Sequence, residues 1–425
     1  MPRRIVIITL AIGWLAALSP GYAGWPWGFD AWLWHGLRDF LPFQPRLIPL
    51  LVCSLMIFSL GLYKAERVCD RIGSEQIGVR SSLIMAAGGG LLLWLLRVGL
   101  WYGDLHNIDT ALLPWWTFET AEPLGAWTTY LIQHGAYKMG IQQSTALAFV
   151  SVFCGACTVG AMWRWAGLIS SKPVWPFLML VSSGFMLIFC GYPEKGTPKS
   201  LALVALYVVS MTFVMRRKEL RLIGLSSLLL SLAIVMHGSA SFLLPAHLFV
   251  ALHRDARPYL IRAGLAFAGP FLVISAHLLA GAKVAGGPWG NVLAPLQWLP
   301  SYCHTSCDYK FWSSEHFLDV LNCALILSPV ATVMLPFLLK QLTNTYTRWL
   351  GINASFGFCL SILWNPLFGY LRDWDLFILG PFFASLCVIT ASSERLAKPA
   401  FERFALLYTV GTFCHTVSWW RAFQS

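Results

Sequence analysis

Long apolar runs, separated by short polar clusters, extend from one end of the chain to the other. A helix needs roughly 20 residues to cross the hydrocarbon core of a bilayer, and apolar runs of about that length recur with no long polar segment between them. The runs predict spans at 5–23, 47–63, 82–102, 146–168, 173–190, 199–215, 221–236, 240–252, 260–281, 317–339, 347–369, 374–391 and 403–420. The predicted fold class is therefore all-α, a polytopic transmembrane helical bundle of about 13 spans, or about 11 if the shortest runs do not cross separately.

Two regions of this prediction have a second interpretation. The runs 221–236 and 240–252 are short, so they form either two tilted helices or one broken re-entrant element interrupted at His237. The first run, 5–23, follows two arginines and has small residues near its end, as a signal peptide does. A retained first helix is the more economical interpretation, because a second apolar run follows closely.

Composition makes the chain a membrane protein. Of its 425 residues, 57% are hydrophobic and only 12% are charged, whereas charged residues make up roughly a quarter of an ordinary globular protein. With the N-terminus inside, the predicted inner segments hold about twice as many Lys and Arg residues as the outer ones. The basic residues behind the net charge of +11 therefore set the membrane topology and contact anionic lipid. They do not indicate nucleic-acid binding.

The longest predicted outer segment runs from roughly 103 to 145 and mixes Trp, Tyr and Leu with polar residues at helical spacing. It is too polar to span a membrane, so it predicts interfacial amphipathic helices along the outer leaflet. A helix placed there can contact a lipid headgroup or a lipid-borne substrate. The pair Trp115 and Trp116 also fits an aromatic belt that only anchors neighbouring spans.

Polar groups collect at the predicted outer ends of the spans, whereas the inner loops are plain basic connectors. Carboxylates and histidines at that depth are costly unless they face a water-filled cavity, and Gly and Pro accompany them, as expected where backbone lines a cavity. The stretches are "WYGDLHNIDT" (101–110), "TAEPLGAW" (120–127), "GYPEKGTPKS" (191–200), "MHGSAS" (236–241) and "NPLFGYLRDWD" (365–375). These five stretches, each at a predicted helix end, therefore predict one functional site on the outer side.

This arrangement resembles the GT-C superfamily of integral-membrane glycosyltransferases: a span, then Gly-Asp, a long interfacial loop, and several spans with acidic ends on the same side. The stretches "GYPEKGTP", "HGSASFLLP" and "NPLFGYLRDWDLF" look like elements of bacterial proteins grouped with those enzymes. The resemblance divides the chain into N-terminal spans with a cytoplasmic loop (1–81), a GT-C-like core (82–392) that includes the outer loop 103–145, and a C-terminal loop with the last span (393–425).

The resemblance implies a glycosyltransferase, inverting in the usual case, that moves a sugar from a polyprenyl-phosphate-linked donor to a glycan, lipid or protein acceptor. It implies a multi-pass protein of the bacterial inner membrane whose active face is periplasmic. The key acid of the superfamily is an Asp early in the first large outer loop, where Asp104 is the expected general base and Asp109 the second candidate. Many members pair that Asp with a neighbouring acid, whereas this chain reads "GDLHNID".

The stretch "LRDWD" places Arg372 directly before Asp373 and Asp375. Carboxylates at positions i and i+2 can share a divalent cation, Mg²⁺ or Mn²⁺ here, and either that cation or Arg372 can neutralise a lipid phosphate. The same acids are also suited to cap the helix that follows, since negative charge is favourable at a helix N-terminus. The two interpretations are compatible, and no other cofactor is expected.

Further polar residues are candidate substrate contacts. Glu194 and Lys195 either pair with each other or serve the substrate, in which case Lys195 or Lys199 contacts a phosphate and Glu194 a sugar hydroxyl. His237 either packs within an apolar run or joins the site, since a glycine and two serines follow it at a helix end. Arg97 is expected within a span, in an internal ion pair or snorkelling to the interface.

Cys303 and Cys307 lie in the predicted outer segment "SYCHTSCDYK", whereas the other cysteines are mostly single residues inside apolar runs. In an oxidising compartment the two form a small disulfide loop; otherwise they remain free thiols, or they bind a metal together with His304.

Two other functions remain open. An O-antigen ligase or polymerase-like transferase also handles polyprenyl-linked sugars, but it is expected to use an outer Arg/His pair, and acids outnumber arginines on the predicted outer side. A multi-span transporter of a lipid-linked or small polar substrate places its polar groups near the membrane centre, on broken helices in two related halves, and the sequence shows no internal repeat. No Gly-rich phosphate loop or zinc motif is present, so a transferase takes its activated sugar from the carrier lipid.

Overall fold

A computed structural model describes residues 77–98, 118–119, 123–192, 194–279, 284–285, 314–339, 342–363 and 377–422. Its helices are α1 (Val79–Val98), α2 (Pro123–Lys138), α3 (Gln143–Ile169), α4 (Val174–Val181), α5 (Thr197–Arg216), α6 (Ile223–Met236), α7 (Leu244–Ala251), α8 (Leu260–Leu279), α9 (Ser314–Leu327), α10 (Pro329–Leu339), α11 (Thr345–Leu363), α12 (Leu379–Arg395) and α13 (Lys398–Ala422). Short 3₁₀ segments lie at Gly184–Phe189, Leu220–Leu222, Gly238–Leu243 and Arg254–Tyr259. Phe118–Glu119 (β1) and Val284–Ala285 (β2) form a two-residue parallel pair. The described part of the chain is otherwise helical, in agreement with the all-α prediction.

Three of the described helices are long and apolar enough to cross a membrane by themselves, namely Val79–Arg97, Gln143–Ile169 and Thr197–Arg216. Shorter apolar stretches cover Leu220–Met236, Gly238–Ala251 and Pro329–Leu339. The pair predicted at 221–236 and 240–252 is present, with its interruption at His237. The count of about 13 spans stays a prediction.

Two predicted spans are not continuous helices, which corrects the sequence interpretation. The span predicted at 173–190 consists of α4 followed by the 3₁₀ segment Gly184–Phe189. The span predicted at 317–339 consists of α9 and α10, separated at Ser328. Pro329 explains the second interruption, because it has no backbone N–H to continue α9 but is well suited to begin a new helix.

α1 and α3 pack so closely that their contact requires glycine. A Cβ on Gly90 would lie 2.9 Å from the Cβ of Ala156, and a Cβ on Gly160 would lie 2.9 Å from the carbonyl oxygen of Ser82. Small residues at such contacts let membrane helices gain van der Waals packing, which drives their association in lipid. The pairing is antiparallel, so the end of α1 lies beside the beginning of α3.

Hydroxyl groups connect α5, α6 and α7 inside the apolar core. Ser227 of α6 lies 2.9 Å from Nε2 of the buried His247 of α7. Ser200, in the first turn of α5, donates to the carbonyl oxygen of Ala233 at 2.9 Å. Because Ala233 is in the last turn of α6, the beginning of α5 lies beside the end of α6. We call this end of the bundle the Lys199 face.

The opposite end of the bundle, here called the Arg216 face, is held by polar and aromatic contacts. The guanidinium of Arg216 pairs with Glu394 of α12 at 2.8 Å. The hydroxyl of the buried Tyr346 accepts a hydrogen bond from Trp165 Nε1 and lies 2.8 Å from the hydroxyl of Thr212. Three helices, α3, α5 and α11, therefore meet at a single phenol.

α11 and α12 approach each other at Gly357 and Gly380, where a Cβ on Gly357 would lie 2.5 Å from the Gly380 nitrogen. α11 begins at the Arg216 face and runs toward the Lys199 face. The chain between the two helices, residues 364–376, lies outside the described residues. Its two flanking helices are fixed against each other by this glycine contact.

Candidate functional site

Seven of the predicted site residues lie outside the described residues, and their assignments stay predictions: Asp104, Asp109, Cys303, Cys307, Arg372, Asp373 and Asp375. Glu194, Lys195 and His237 are described, and all three lie at the Lys199 face. Within the described part of the chain, no group of three His, Cys, Asp or Glu side chains is arranged to hold a metal ion.

The segment that carries Glu194 and Lys195 connects the 3₁₀ segment Gly184–Phe189 to α5. Glu194 accepts a hydrogen bond from the backbone N–H of Lys195 at 2.9 Å, which shapes the turn. The carbonyl oxygen of Lys195 accepts a hydrogen bond from Thr129 of α2 at 3.2 Å. The turn is therefore attached to α2, and its two charged residues are half-buried.

Lys199 connects the first turn of α5 to α2 through hydrogen bonds. Its side chain is 8% exposed, and Nζ donates to the hydroxyls of Thr128 and Thr129, at 2.9 and 2.8 Å, and to the carbonyl oxygen of Gly125 at 3.2 Å. An ammonium group has three protons, and these acceptors match them. A buried cation that is satisfied in this way positions the helix that the sequence predicted at the interface.

α2 is a helix within the segment for which interfacial helices were predicted, and it begins at Pro123, a residue well suited to the first turn. Its interfacial position stays a prediction. Ala126, Thr129 and Gln133 on one face are buried against the core, whereas Leu131 on the other is 43% exposed. The helix thus presents its polar face to the site and its apolar face to the side of the bundle.

His237 ends α6 and lies one turn beyond Ala233. Its Nδ1 accepts a hydrogen bond from the backbone N–H of Ser239 and lies 2.7 Å from the Ser239 hydroxyl. Burial lowers the pKa of the imidazole to about 4, so the ring is neutral at pH 7. Because Nδ1 is an acceptor, the neutral ring carries its proton on Nε2, which is therefore a hydrogen-bond donor.

Arg97 lies at the end of the apolar helix Val79–Arg97, on the Lys199 face. Its Cζ lies 5.0 Å from the centroid of the Trp94 ring, one turn earlier in the helix. Among the described residues, the guanidinium forms no ion pair and no hydrogen bond. A half-buried cation that has no counter-ion among the described residues is a candidate site for an anion.

The turn at Gly191 is fitted to Arg97. Gly191 has a φ of +90°, which L side chains rarely adopt, and a Cβ there would lie 2.6 Å from Cδ of Arg97. The glycine therefore serves both the backbone conformation and the approach of the arginine. Through this contact the end of α1 joins the segment that carries Glu194 and Lys195.

An apolar groove of about 440 Å³ opens beside Arg97. Trp94, the residue that stacks on Arg97, lines it together with residues of α2, of the turn after α2 and of the first two turns of α3: Leu131, Ile132, Gly135, Ala136, Met139, Ile141, Thr145, Ala146, Phe149 and Val150. Nearly all of this lining is hydrocarbon. A groove of this kind is suited to an alkyl or prenyl chain, and Trp94 connects its lining to the guanidinium of Arg97.

The chain matches no protein-family model and no curated protein. It is similar to solved structures of ArnT. One is ArnT from Cupriavidus metallidurans in the apo state, with a TM-score of 0.46, 13% sequence identity, and coverage of 79% of this chain and 76% of that chain. Another is ArnT from Cupriavidus metallidurans bound to undecaprenyl phosphate, with a TM-score of 0.44 and 13% identity over 76% of this chain. This chain spans 61% of the length of that second structure.

The site combines an apolar groove, a cation that stacks on one of its lining residues, and a turn next to that cation with one acid and one base. The sequence analysis predicted that the turn with Glu194 and Lys195 and the helix end at His237 belong to a site. It predicted neither the groove nor a place for Arg97 in that site. A usable signal for Arg97 was present in the sequence: Trp94 precedes it by three residues, the spacing at which helical side chains meet. The groove had no such signal, because its lining comes from three separate helices.

Proposed function

We propose that the protein is a membrane glycosyltransferase that uses a polyprenyl-phosphate-linked sugar as donor. The observation that carries the proposal is that Trp94 both lines an apolar groove and lies 5.0 Å from the guanidinium carbon of Arg97. A ligand that satisfies both features has one anionic headgroup and a long hydrocarbon chain, as a polyprenyl phosphate has. The resemblance of the motifs to GT-C enzymes supports the same substrate class.

In such a transfer the polyprenyl phosphate is the leaving group. The acceptor hydroxyl attacks the anomeric carbon, the bond from that carbon to the phosphate oxygen breaks, and negative charge grows on the phosphate. A guanidinium already in place stabilises that charge more in the transition state than in the ground state. Arg97 is suited to this role, because its planar fork can donate two hydrogen bonds to one phosphate.

Other polar groups of the Lys199 face are suited to bind the sugar. The Nε2–H of His237 is a donor to a sugar hydroxyl, and the Glu194 carboxylate is an acceptor from one. Lys195 supplies a second positive charge for the phosphate. Since Lys199 and Thr129 attach this turn to α2, the headgroup contacts and the groove form one connected structure.

The finer parts of the proposal concern residues outside the described ones. Asp104 removes the proton of the acceptor hydroxyl, with Asp109 as the alternative, and the transfer inverts the anomeric centre. Asp373 and Asp375 hold a divalent cation, or Arg372 takes its place at the phosphate. We further propose that the Lys199 face is periplasmic in a bacterial inner membrane and that about 13 helices span it.

A transporter is the second candidate, and one observation favours it. Two interrupted helices meet inside the bundle, where Gly184 packs directly against the carbonyl oxygen of Ile326. The hydroxyl of Ser328 beside this crossing lies 2.7 Å from Ser385 and 3.3 Å from Tyr408. Broken helices are typical of transporter sites, but these hydroxyls bond to one another and include no charge.

The experiment that tests the proposal measures the transfer of labelled sugar in membranes supplied with polyprenyl-phosphate-linked donors, at equal protein levels. The variants are Arg97→Gln, Asp104→Asn, Asp109→Asn and Asp373→Asn, each with and without chelator. Arg80→Gln is the matched control, since Arg80 is an exposed arginine at the other end of the same helix.

We expect transfer by the wild type and by Arg80→Gln, and a loss of at least about a hundredfold in Arg97→Gln, the effect of removing one transition-state donor. Loss in Asp104→Asn assigns the base, and sensitivity to chelator assigns the cation. Full activity in Arg97→Gln contradicts the phosphate site. Uptake of a lipid-linked substrate without any transfer replaces the proposal with the transporter.

A further inference from the structure

A second charged surface lies at the Arg216 face, at the opposite end of the bundle from the proposed active site. The 3₁₀ segments Leu220–Leu222 and Arg254–Tyr259 pack against each other there, and the second continues directly into α8. These elements bring together Arg221, Arg254, Arg257 and Arg262, all of which are exposed. We call this surface the arginine patch.

The patch contains more cations than the neighbouring acids can balance. Arg221 lies 3.4 Å from Glu219, and both side chains are well exposed. Asp255 lies 3.7 Å from His253. In the part of the chain that the structure describes, Arg254, Arg257 and Arg262 form no ion pair. Three guanidinium groups therefore remain available to an external anion.

One arginine of the patch is held in place by its aliphatic part. Arg262 crosses the beginning of α6, where a Cβ on Gly224 would lie 3.1 Å from its Cγ and 3.3 Å from its Cδ. The methylene groups thus pack on a glycine while the residue as a whole remains exposed. This arrangement fixes one guanidinium of the patch at the boundary between α6 and α8.

Exposed hydrocarbon borders the patch on the side of the bundle. Ile261 and Leu265, on either side of Arg262, are 80% and 70% exposed, and Leu252, just before the second 3₁₀ segment, is 59% exposed. Charged groups at a membrane boundary with exposed aliphatic side chains directly beside them match a ligand that has an anionic head and hydrocarbon chains. A soluble anion would use the charges but not the hydrocarbon.

We propose that the arginine patch is a binding site for an anionic phospholipid, with the headgroup on Arg254, Arg257 and Arg262 and the acyl chains along Ile261 and Leu265. This site is separate from the proposed donor site, which lies at the Lys199 face. A basic residue near an anionic leaflet contributes about fivefold to binding, so three arginines give a clear preference over a zwitterionic lipid.

The test uses the full chain, purified in detergent and analysed by native mass spectrometry with two lipids of identical chains, dioleoylphosphatidylglycerol and dioleoylphosphatidylcholine. The test variant is Arg254→Gln/Arg257→Gln/Arg262→Gln. The control variant is Arg80→Gln/Lys398→Gln/Arg403→Gln, which removes the same charge from exposed residues at the same end of the bundle, outside the patch.

We expect the wild type and the control variant to retain phosphatidylglycerol over phosphatidylcholine, and the patch variant to lose that preference by at least about tenfold. Equal loss in both variants would show that net charge alone selects the lipid, and it would overturn the proposal. So would equal retention of the two lipids by the wild type, or displacement of phosphatidylglycerol by millimolar tripolyphosphate, which would assign the patch to a soluble anion.

Discussion

The side chain of Arg97 lies across Gly191, so that a Cβ on the glycine would be 2.6 Å from Cδ of the arginine. The contact joins the end of α1 to the turn before α5, two parts of the chain that are far apart in sequence. Because the guanidinium carbon also lies 5.0 Å from the centroid of the Trp94 ring, the arginine contacts both a ring and a turn. A pre-positioned cation loses little conformational entropy when it binds an anion.

Replacing Gly191 with alanine should disturb both the turn and Arg97. The positive φ costs a residue with a Cβ at least about 1 kcal/mol, and the new methyl group displaces the arginine. We expect a lower melting temperature in detergent and weaker binding of polyprenyl phosphate. Gly88→Ala is the control, since a Cβ at Gly88 meets nothing within 4 Å. A Gly191→Ala variant that binds as tightly as the wild type would contradict the account of this turn.

Gly135 offers a way to fill the groove without displacing its walls. It lines the groove, and a Cβ there meets nothing within 4 Å. We expect Gly135→Leu to weaken binding of a long-chain polyprenyl phosphate at least about tenfold and to leave binding of a short-chain, water-soluble analogue unchanged. Gly135→Ala serves as the control, because it adds one carbon and favours the helix. Equal weakening for both chain lengths would point to a disturbed headgroup site instead.

Lys199 and Thr129 should behave as one unit in stability measurements. Lys199→Met removes a charged donor from buried hydroxyls, a loss worth about 2 kcal/mol or more, and Thr129→Val removes one of its acceptors. Thermal unfolding of the two single variants and of the double variant gives a double-mutant cycle. We expect the double variant to be clearly less destabilised than the sum of the two single ones. If the two destabilisations simply add, the 2.8 Å hydrogen bond between Lys199 and Thr129 contributes nothing to stability.

Tyr346 should be important for the stability of the Arg216 face. Tyr346→Phe leaves Trp165 Nε1 without its acceptor in a buried position, which costs about 1–3 kcal/mol. Tyr137→Phe is the matched control, since Tyr137 is 69% exposed. We expect thermal unfolding to show a loss for the first variant and none for the second. Equal melting temperatures for both would contradict the role of the phenol shared by α3, α5 and α11.

Much of the fold could be predicted from hydrophobic periodicity, because membrane helices must satisfy their own backbone hydrogen bonds and so appear as apolar runs. α3, predicted at 146–168, is observed at Gln143–Ile169, and α5, predicted at 199–215, at Thr197–Arg216. The sequence analysis did not predict the interruptions at Ser182–Ser183 and at Ser328. A serine within an apolar run does not by itself mark the end of a helix, and the residues that pack against each interruption are distant in sequence.

The candidate site was predicted in part. The turn with Glu194 and Lys195 and the helix end at His237 do lie together at one face, as polar groups with Gly and Pro beside them indicated. The part of Arg97 in this site was not predicted, because its contact with Gly191 joins segments that are far apart in sequence.

The central claim is that Arg97 binds the phosphate of a lipid carrier. The most direct measurement is the affinity of the purified protein for undecaprenyl phosphate, in the wild type, Arg97→Gln and Arg80→Gln, at two salt concentrations. We predict that Arg97→Gln binds at least about tenfold more weakly, as expected for the loss of a charged hydrogen bond, and that Arg80→Gln binds like the wild type. Equal affinity of Arg97→Gln and the wild type would contradict the claim.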